Sequence, residues 1–195
     1  MPRPIYYKYR SLENFEFFVD ILVNQQLYAT TYPKMNDAME GIYYASGLKP
    51  DILKNIRTYK EKFNICSLSK KQDELLLWAH YANGSRGVNI GVEVTGHYLD
   101  IRDIEYGDLP TINSCISPST TAKEILTHKH ESWRYEGEVR IFTQIEKPYI
   151  KVLVKEIILG KKITSQHKRL VTELASKLVP DARIIEYKDL PSAIL

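Results

Sequence analysis

The chain has 195 residues, of which 44% are hydrophobic and 26% are charged, so it is long enough to bury a core of its own and is not disordered over most of its length. Its formal net charge of +3 is too small to indicate a nucleic-acid-binding protein by itself. The two cysteines, Cys66 and Cys115, lack the spacing of a metal site, and reduced thiols are expected.

The N-terminal residues contain no apolar stretch of the kind found in a secretion signal. No apolar run in the sequence is long enough to span a bilayer. We therefore expect a cytoplasmic protein with no membrane partner, folded as a single domain over residues 1–195. The sequence does not determine its oligomeric state.

The spacing of apolar residues and the positions of Gly, Pro and Asn predict an alternation of strands and helices. In chain order the predicted elements are a strand over 5–9, a helix over 12–25, a strand over 27–30, a helix over 50–62, a strand over 64–69, a helix over 73–81, strands over 87–94 and 98–106, a helix over 118–131, strands over 138–144, 149–154 and 156–159, a helix over 165–178 and a strand over 183–187. This order predicts an α+β fold with a mostly antiparallel, twisted central sheet flanked by helices.

Three of these predictions carry detail that a structure can check. Ser11 is expected to be the N-cap of the first helix. The alternation in 87–94 predicts a strand with one buried face, formed by the valines and isoleucine at even positions. The predicted helix over 118–131 places His128 and His130 on diverging directions of its last turn, which argues against a metal site there.

Charged residues at alternate positions mark the strand segment 135–140. If this segment is extended, Glu136, Glu138 and Arg140 project from the same face, beside Tyr135. A solvated, salt-bridged strand explains them without any function. The functional interpretation is a paired-carboxylate site, in which mutual repulsion raises the pKa of one acid. Such a pair can stabilise the oxocarbenium-like centre that forms when a glycosidic bond breaks. This interpretation requires both acids to face a shared hollow.

Further candidate residues lie at the ends of predicted elements. The first predicted strand ends at Tyr9, Arg10 and Ser11. The Arg10 guanidinium can bind a phosphate or carboxylate there through two parallel hydrogen bonds. Asn36 and Asp37 can bind a ribose or form a turn, and the turn is the commoner role.

The segment 78–82 offers Trp78, His80 and Tyr81 as ligand-binding residues. Here His80 is either a proton carrier or a structural histidine packed under the tryptophan. We expect no metal, since the sequence has no HExxH, CxxC or aspartate-rich loop.

Basic residues are frequent late in the chain. A solvated face explains them, and the alternative is a shallow surface for an anionic ligand or nucleic acid. The residues are Lys147, Lys151, Lys155, Lys161, Lys162, Lys168 and Arg169.

Six segments occur together in one order along nearly the whole chain, and this order resembles the bacterial family called domain of unknown function 2971. The segments are Tyr7–Ser11, Leu27–Tyr28 with Asn36–Asp37, Cys66–Ser69, Leu77–Ala82 with Gly87–Val88, Trp133–Arg140 and Ile157–Gly160. The family pattern has a tryptophan where this chain has Val139, and a proline where it has Ala38. The charged residues of both patterns are intact.

A second resemblance, at the level of the fold, connects the opening strand and the late Glu-x-Glu strand to ADP-ribosyltransferases. It implies that Arg10 holds the phosphate or ribose of NAD, that tyrosines stack on nicotinamide, and that Glu138 stabilises the oxocarbenium. It also implies that Glu136 orients or deprotonates the acceptor. Arginine-modifying members carry a Ser-Thr-Ser strand, whereas this chain has Ala29, Thr30 and Thr31, so the acceptor stays open between nucleic acid and protein.

The expected function is therefore an NAD-dependent ADP-ribosyltransferase-like enzyme, with NAD as co-substrate, acting in phage defence or toxin–antitoxin conflict. One alternative is a non-enzymatic module that binds a nucleotide or nucleic acid. The other is a hydrolase that splits NAD or another N-glycoside with water as the acceptor.

Overall fold

Thirteen strands and five helices alternate along the part of the chain that the computed structural model describes, which is residues 3–96, 99–144 and 146–187. The strands are β1 (Ile5–Arg10), β2 (Gln26–Tyr28), β3 (Thr30–Thr31), β4 (Tyr44–Ala45), β5 (Phe63–Ser69), β6 (Val88–Val94), β7 (Asp100–Asp103), β8 (Glu105–Gly107), β9 (Thr111–Ile112), β10 (His128–His130), β11 (Glu138–Gln144), β12 (Tyr149–Leu159) and β13 (Arg183–Glu186). The helices are α1 (Phe15–Asn24), α2 (Pro50–Lys62), α3 (Leu75–Tyr81), α4 (Pro118–Ile125) and α5 (Ser165–Leu178).

The chain divides into two compact units. The first unit contains Met1–Leu27, Leu68–His97 and Lys151–Leu195, and the second contains Tyr28–Ser67 and Tyr98–Ile150. The predicted α+β class and its mostly antiparallel sheet with flanking helices are confirmed. The likeness to ADP-ribosyltransferases and the single domain over residues 1–195 remain predictions.

In the first unit the strand order is β13–β12–β6–β1, antiparallel except for the parallel β13–β12 pair. Gly91 of β6 lies between Tyr7 of β1 and Glu156 of β12. Helix α1 buries Phe18, Ile21 and Leu22, the spacing of an amphipathic helix.

In the second unit β11 lies between β5 and β7, and β3 pairs with β5. The β11–β7 pair is antiparallel, with Val139 opposite Asp103. Two small parallel ribbons, β10–β8 and β4–β9, lie outside this path. Helices α2 and α4 share an apolar core that contains Ile56, Ala122 and Ile125.

Two predictions for the first unit are wrong in detail. Ser11 does not cap α1, which begins four residues later after Asn14; the Ser11 hydroxyl accepts a hydrogen bond from the amide of Glu13 instead, at 3.2 Å. Strand β6 is buried on both faces rather than one, since Asn89 and Gly91 are buried as well as the even-numbered residues. The alternation shows which side chains are apolar, but it does not show whether the polar face is buried as well. A polar group can be buried when it has a hydrogen-bond partner inside the protein.

The predicted helix over 118–131 is also wrong at its end. Helix α4 stops at Ile125, and the hydroxyl of Thr127 donates to the last-turn carbonyls of Lys123 and Glu124. This local bond competes with continuation of the helix. The residues His128–His130 then form β10 by pairing with β8. No helix within the described ranges has the length and apolar character needed to cross a membrane.

Candidate active site

The carboxylates of Glu136 and Glu138 converge on one ammonium group, that of Lys129. Its Nζ lies 2.5 Å from Oε2 of Glu136 and 3.0 Å from Oε2 of Glu138. The prediction that both acids lie on one strand is wrong, because Glu136 ends a 3₁₀ helix (Glu131–Glu136) and β11 begins at Glu138. Gly137 joins them in the left-handed conformation, with φ 51°. This reversal, which favours glycine, allows both side chains to reach Lys129.

Arg140 is the second cation of the cluster, and all five of its N–H donors have acceptors. Nε and Nη2 donate to Glu138 at 2.8 and 3.2 Å. Nη1 and Nη2 donate to Glu40 at 2.5 and 2.8 Å. Nη1 also donates to the carbonyl of Leu126. The Arg140 side chain is fully buried, so these acceptors replace water completely, as burial of a guanidinium requires.

The cluster is closed to solvent in this structure. The side chains of Lys129, Glu136 and Glu138 are 6%, 6% and 4% exposed. Both oxygens of Glu138 accept hydrogen bonds from cations, Oε1 from Arg140 and Oε2 from Arg140 and Lys129. The acids therefore share a centre, but a cation of the chain itself fills it.

Two acids of the cluster have pKa values shifted in opposite directions. Burial alone would raise the pKa of Glu138, but Arg140 and Lys129 outweigh it and lower that pKa to about 2. Burial raises the pKa of Glu40 even against the attraction of Arg140, with a contribution from Glu138 in the same direction. The splitting predicted between Glu136 and Glu138 therefore stays a prediction, and the two acids with opposite pKa shifts in the cluster are Glu138, lowered, and Glu40, raised.

Ionised Glu138 makes stability depend on acidity. Its folded pKa lies below the unfolded value, so this contribution is present above pH 4.5 and is lost as pH falls from 4.5 towards 2. We expect on the order of 3 kcal/mol of unfolding free energy to disappear over that window. Urea denaturation at a series of pH values measures it. The variant Glu138→Gln should show a flatter dependence below pH 4.5, and an unchanged slope would contradict the assignment.

Glu40 is a member of the cluster that sequence reasoning missed. The predicted turn at Asn36 and Asp37 is present, with Oδ1 of Asp37 accepting from the amide of Met39 at 2.9 Å. The amide of Glu40 then donates to the carbonyl of Asp37 at 3.1 Å. The turn therefore carries Glu40 towards Arg140, whereas Asn36 itself is exposed. The only local signal was an acid three residues after Asp37.

Aromatic residues border the cluster. Nζ of Lys129 lies 4.7 Å from the centre of the Trp133 ring, a cation–π distance. The predicted residue Tyr135 contacts Trp133, with ring centres 6.0 Å apart. The hydroxyl of Tyr106 accepts a hydrogen bond from the amide of Glu138 at 2.7 Å, which fixes the start of β11.

The other predicted binding residues belong to the first unit. Tyr9 and Trp78 are core residues, 5% and 0% exposed, with their rings edge to face at 5.1 Å. Both rings are therefore packed inside the core in this structure, and the binding roles predicted for the two residues remain predictions. The Tyr9 hydroxyl donates to the carbonyls of Lys71 and Gln72.

His80, Tyr81, Arg10 and Ser11 also lie in the first unit. His80 is exposed, and its ring lies edge to face with that of Tyr81, with centres 6.3 Å apart. Arg10 and Ser11 are partly buried at the end of β1. Their binding roles remain predictions, and six of the twelve predicted site residues lie in each unit.

A second buried carboxylate, in the first unit, was also missed. The Glu156 side chain is 1% exposed and accepts from the Tyr7 hydroxyl at 3.0 Å, from Gln72 at 2.9 Å and from Arg183 at 2.5 Å. A Cβ on Gly91 would lie 2.6 Å from Cγ of Glu156, so the glycine provides the space for this side chain. Burial and the bond to Glu156 raise the pKa of Tyr7 to about 12.

Among the described residues, no group of three or more histidines, cysteines and acids is placed to hold a metal ion. Comparisons with protein-family models, with curated proteins and with solved structures find no match to the chain. The resemblances drawn from the sequence therefore remain predictions.

Proposed function

We propose that the chain is an ADP-ribosyltransferase-like enzyme that breaks the N-glycosidic bond of NAD and transfers ADP-ribose to nucleic acid or protein. One observation supports this most: the carboxylates of Glu136 and Glu138 both lie within 3.0 Å of a single positive charge. The breaking glycosidic bond develops a positive charge on its sugar, and two acids that converge on one point can stabilise it. The proposed setting, phage defence or toxin–antitoxin conflict, rests on the resemblance alone.

In the proposed reaction the bond between the anomeric carbon and the nicotinamide nitrogen breaks, and its electron pair stays with nicotinamide. Glu138, whose pKa the Arg140 guanidinium helps to hold below its usual range, faces the oxocarbenium that remains. The acceptor then forms a bond to the anomeric carbon and gives its proton to Glu136. Nicotinamide and an ADP-ribosylated acceptor are the products.

The net charge of the cluster favours the binding of a cation. When all its members are ionised, the carboxylates Glu40, Glu136 and Glu138 face two cations, Lys129 and Arg140. The sum is one negative charge, in a site where water screens little. The reaction requires the Lys129 ammonium to leave the two carboxylates, since it fills the place of the sugar.

A second function, a non-enzymatic module for nucleotides or nucleic acid, is favoured by exposed cations in the first unit. Two of its loops are joined by backbone hydrogen bonds, from Lys162 to Ser85 at 2.8 Å and from Gly160 to Gly87 at 3.0 Å. They carry Arg86, Lys161 and Lys162, which are exposed and form no ion pair with the residues described. Such cations suit phosphate groups.

The test is nicotinamide release from NAD, measured by liquid chromatography for the wild type, Glu138→Gln and a control. The control is Glu131→Gln, because Glu131 lies in the same segment and is paired with Arg134 but is 54% exposed. We expect Glu138→Gln to lose at least about 100-fold in rate and Glu131→Gln to keep the wild-type rate. Thermal unfolding measures whether both variants are folded.

The same assay separates the candidates. Release that continues unchanged in Glu138→Gln removes the catalytic role of this acid. NAD that stays intact with every protein, together with salt-dependent binding of an oligonucleotide, favours the binding module. Release that labels no DNA, RNA or protein identifies the hydrolase.

A further inference from the structure

We propose that Lys129 is an internal cation that holds the Glu136–Glu138 site closed and must withdraw before NAD binds. This inference rests on the proposed function and concerns the regulation of the same site. The Lys129 ammonium lies between the two carboxylates, and its Nζ is 4.7 Å from the centre of the Trp133 ring. Two acids and an aromatic face are the surroundings that stabilise a cationic sugar or ring.

The two cations of the cluster are held very differently. Arg140 is on β11, between β5 and β7, and all its donors are used. Lys129 is on β10, a strand of three residues that pairs only with β8 among the described elements. Short ribbons with few partners open at a lower free energy than central strands. Withdrawal of Lys129 therefore leaves Arg140 and Glu138 in place.

Charge links this withdrawal to the substrate. Without Lys129, the carboxylates Glu40, Glu136 and Glu138 face Arg140 alone, which leaves two net negative charges in a buried site. Opening is therefore unfavourable until another cation arrives. The nicotinamide ring of NAD carries a positive charge, whereas free nicotinamide does not. A ligand that binds only the open state shifts the protein towards it, so the site should select cationic N-glycosides over neutral ones.

The variant Lys129→Met removes the charge and keeps most of the apolar side chain. A matched control exists: Lys123 is 22% exposed, against 6% for Lys129, and its Nζ lies 2.6 Å from Oδ2 of Asp100 and 4.9 Å from the centre of the Phe63 ring. We expect Lys129→Met to release nicotinamide from NAD at least about tenfold faster than the wild type. The rate of Lys123→Met should equal that of the wild type.

A binding measurement separates this inference from the proposed chemistry. In Lys129→Met, the N-methylnicotinamide cation should raise the melting temperature, and neutral nicotinamide at equal concentration should not. If Lys129→Met does not fold, Lys129→Gln takes its place, since the amide can still donate to both acids.

The outcomes are distinct. The role of Lys129 is overturned if wild-type nicotinamide release depends on Glu138 and folded Lys129→Met releases nicotinamide no faster than the wild type. It is also overturned if the N-methylnicotinamide cation does not raise the melting temperature of the variant. If no protein consumes NAD, but the N-methylnicotinamide cation alone raises the melting temperature of Lys129→Met, the role of Lys129 is supported and the proposed transferase activity is removed.

Discussion

Replacing Arg140 with methionine should lower the free energy of unfolding by about 3–5 kcal/mol. Methionine fills similar space but removes all five donors, so both oxygens of Glu40 and Oε1 of Glu138 lose their Arg140 hydrogen bonds, while Oε2 of Glu138 still accepts from Lys129. Both acids are buried, with side chains 3% and 4% exposed. Water cannot replace the lost hydrogen bonds, and the uncompensated charge accounts for most of the expected loss. Urea denaturation at pH 7 measures the change.

Arg134→Met is the matched control for this experiment. Arg134 also forms an ion pair with a glutamate, Glu131, but the two side chains are 61% and 54% exposed. Exposed pairs contribute about 0–1 kcal/mol. A similar loss in both variants would show that the burial of Arg140 has no special effect, and the description of the cluster would fail.

Replacing Gly87 with alanine should have the next largest effect on stability, a loss of about 2–3 kcal/mol. A Cβ at this position would lie 2.0 Å from the carbonyl oxygen of Arg10, closer than any non-bonded contact allows. The backbone cannot simply move away, because Gly87 also donates to Ala82 at 2.9 Å and accepts from Gly160 at 3.0 Å. Thermal and urea unfolding report the loss.

Gly107→Ala provides the comparison. A Cβ there would meet its nearest atom, Nε2 of His128, at 3.9 Å, which is ordinary contact. Alanine also lowers the entropy of the unfolded chain, so a change within about 1 kcal/mol is expected. If Gly87→Ala is tolerated as well as Gly107→Ala, the close approach of β1 to the start of β6 is not as described.

Local patterns in the sequence predict much of the fold. The bounds of α2, α5 and β11 agree with the prediction at both ends, because each has its own apolar period and clear end signals. The prediction failed where a tertiary partner decided the conformation. Residues His128–His130 continue a helical pattern, yet their backbone pairs with β8.

The site was only half predictable, for the same reason. Glu136, Glu138 and Arg140 are close in sequence, and their charges indicated a special segment. Lys129 was assigned to the wrong element, and Glu40 lies 100 residues before Arg140. A pairing over that separation leaves no periodic signal in one sequence. The expected hollow is therefore occupied by a side chain that the pattern placed elsewhere.

The fate of NAD mixed with purified protein and a pool of RNA, DNA and protein acceptors tests the central claim most directly. With NAD labelled in its ADP-ribose part, the account predicts that Lys129→Met produces free nicotinamide and transferred label in equal amounts. It predicts that Lys129→Met combined with Glu138→Gln produces neither. Equal label transfer by both proteins would contradict the claim that Glu138, one of the two converging acids, performs the chemistry.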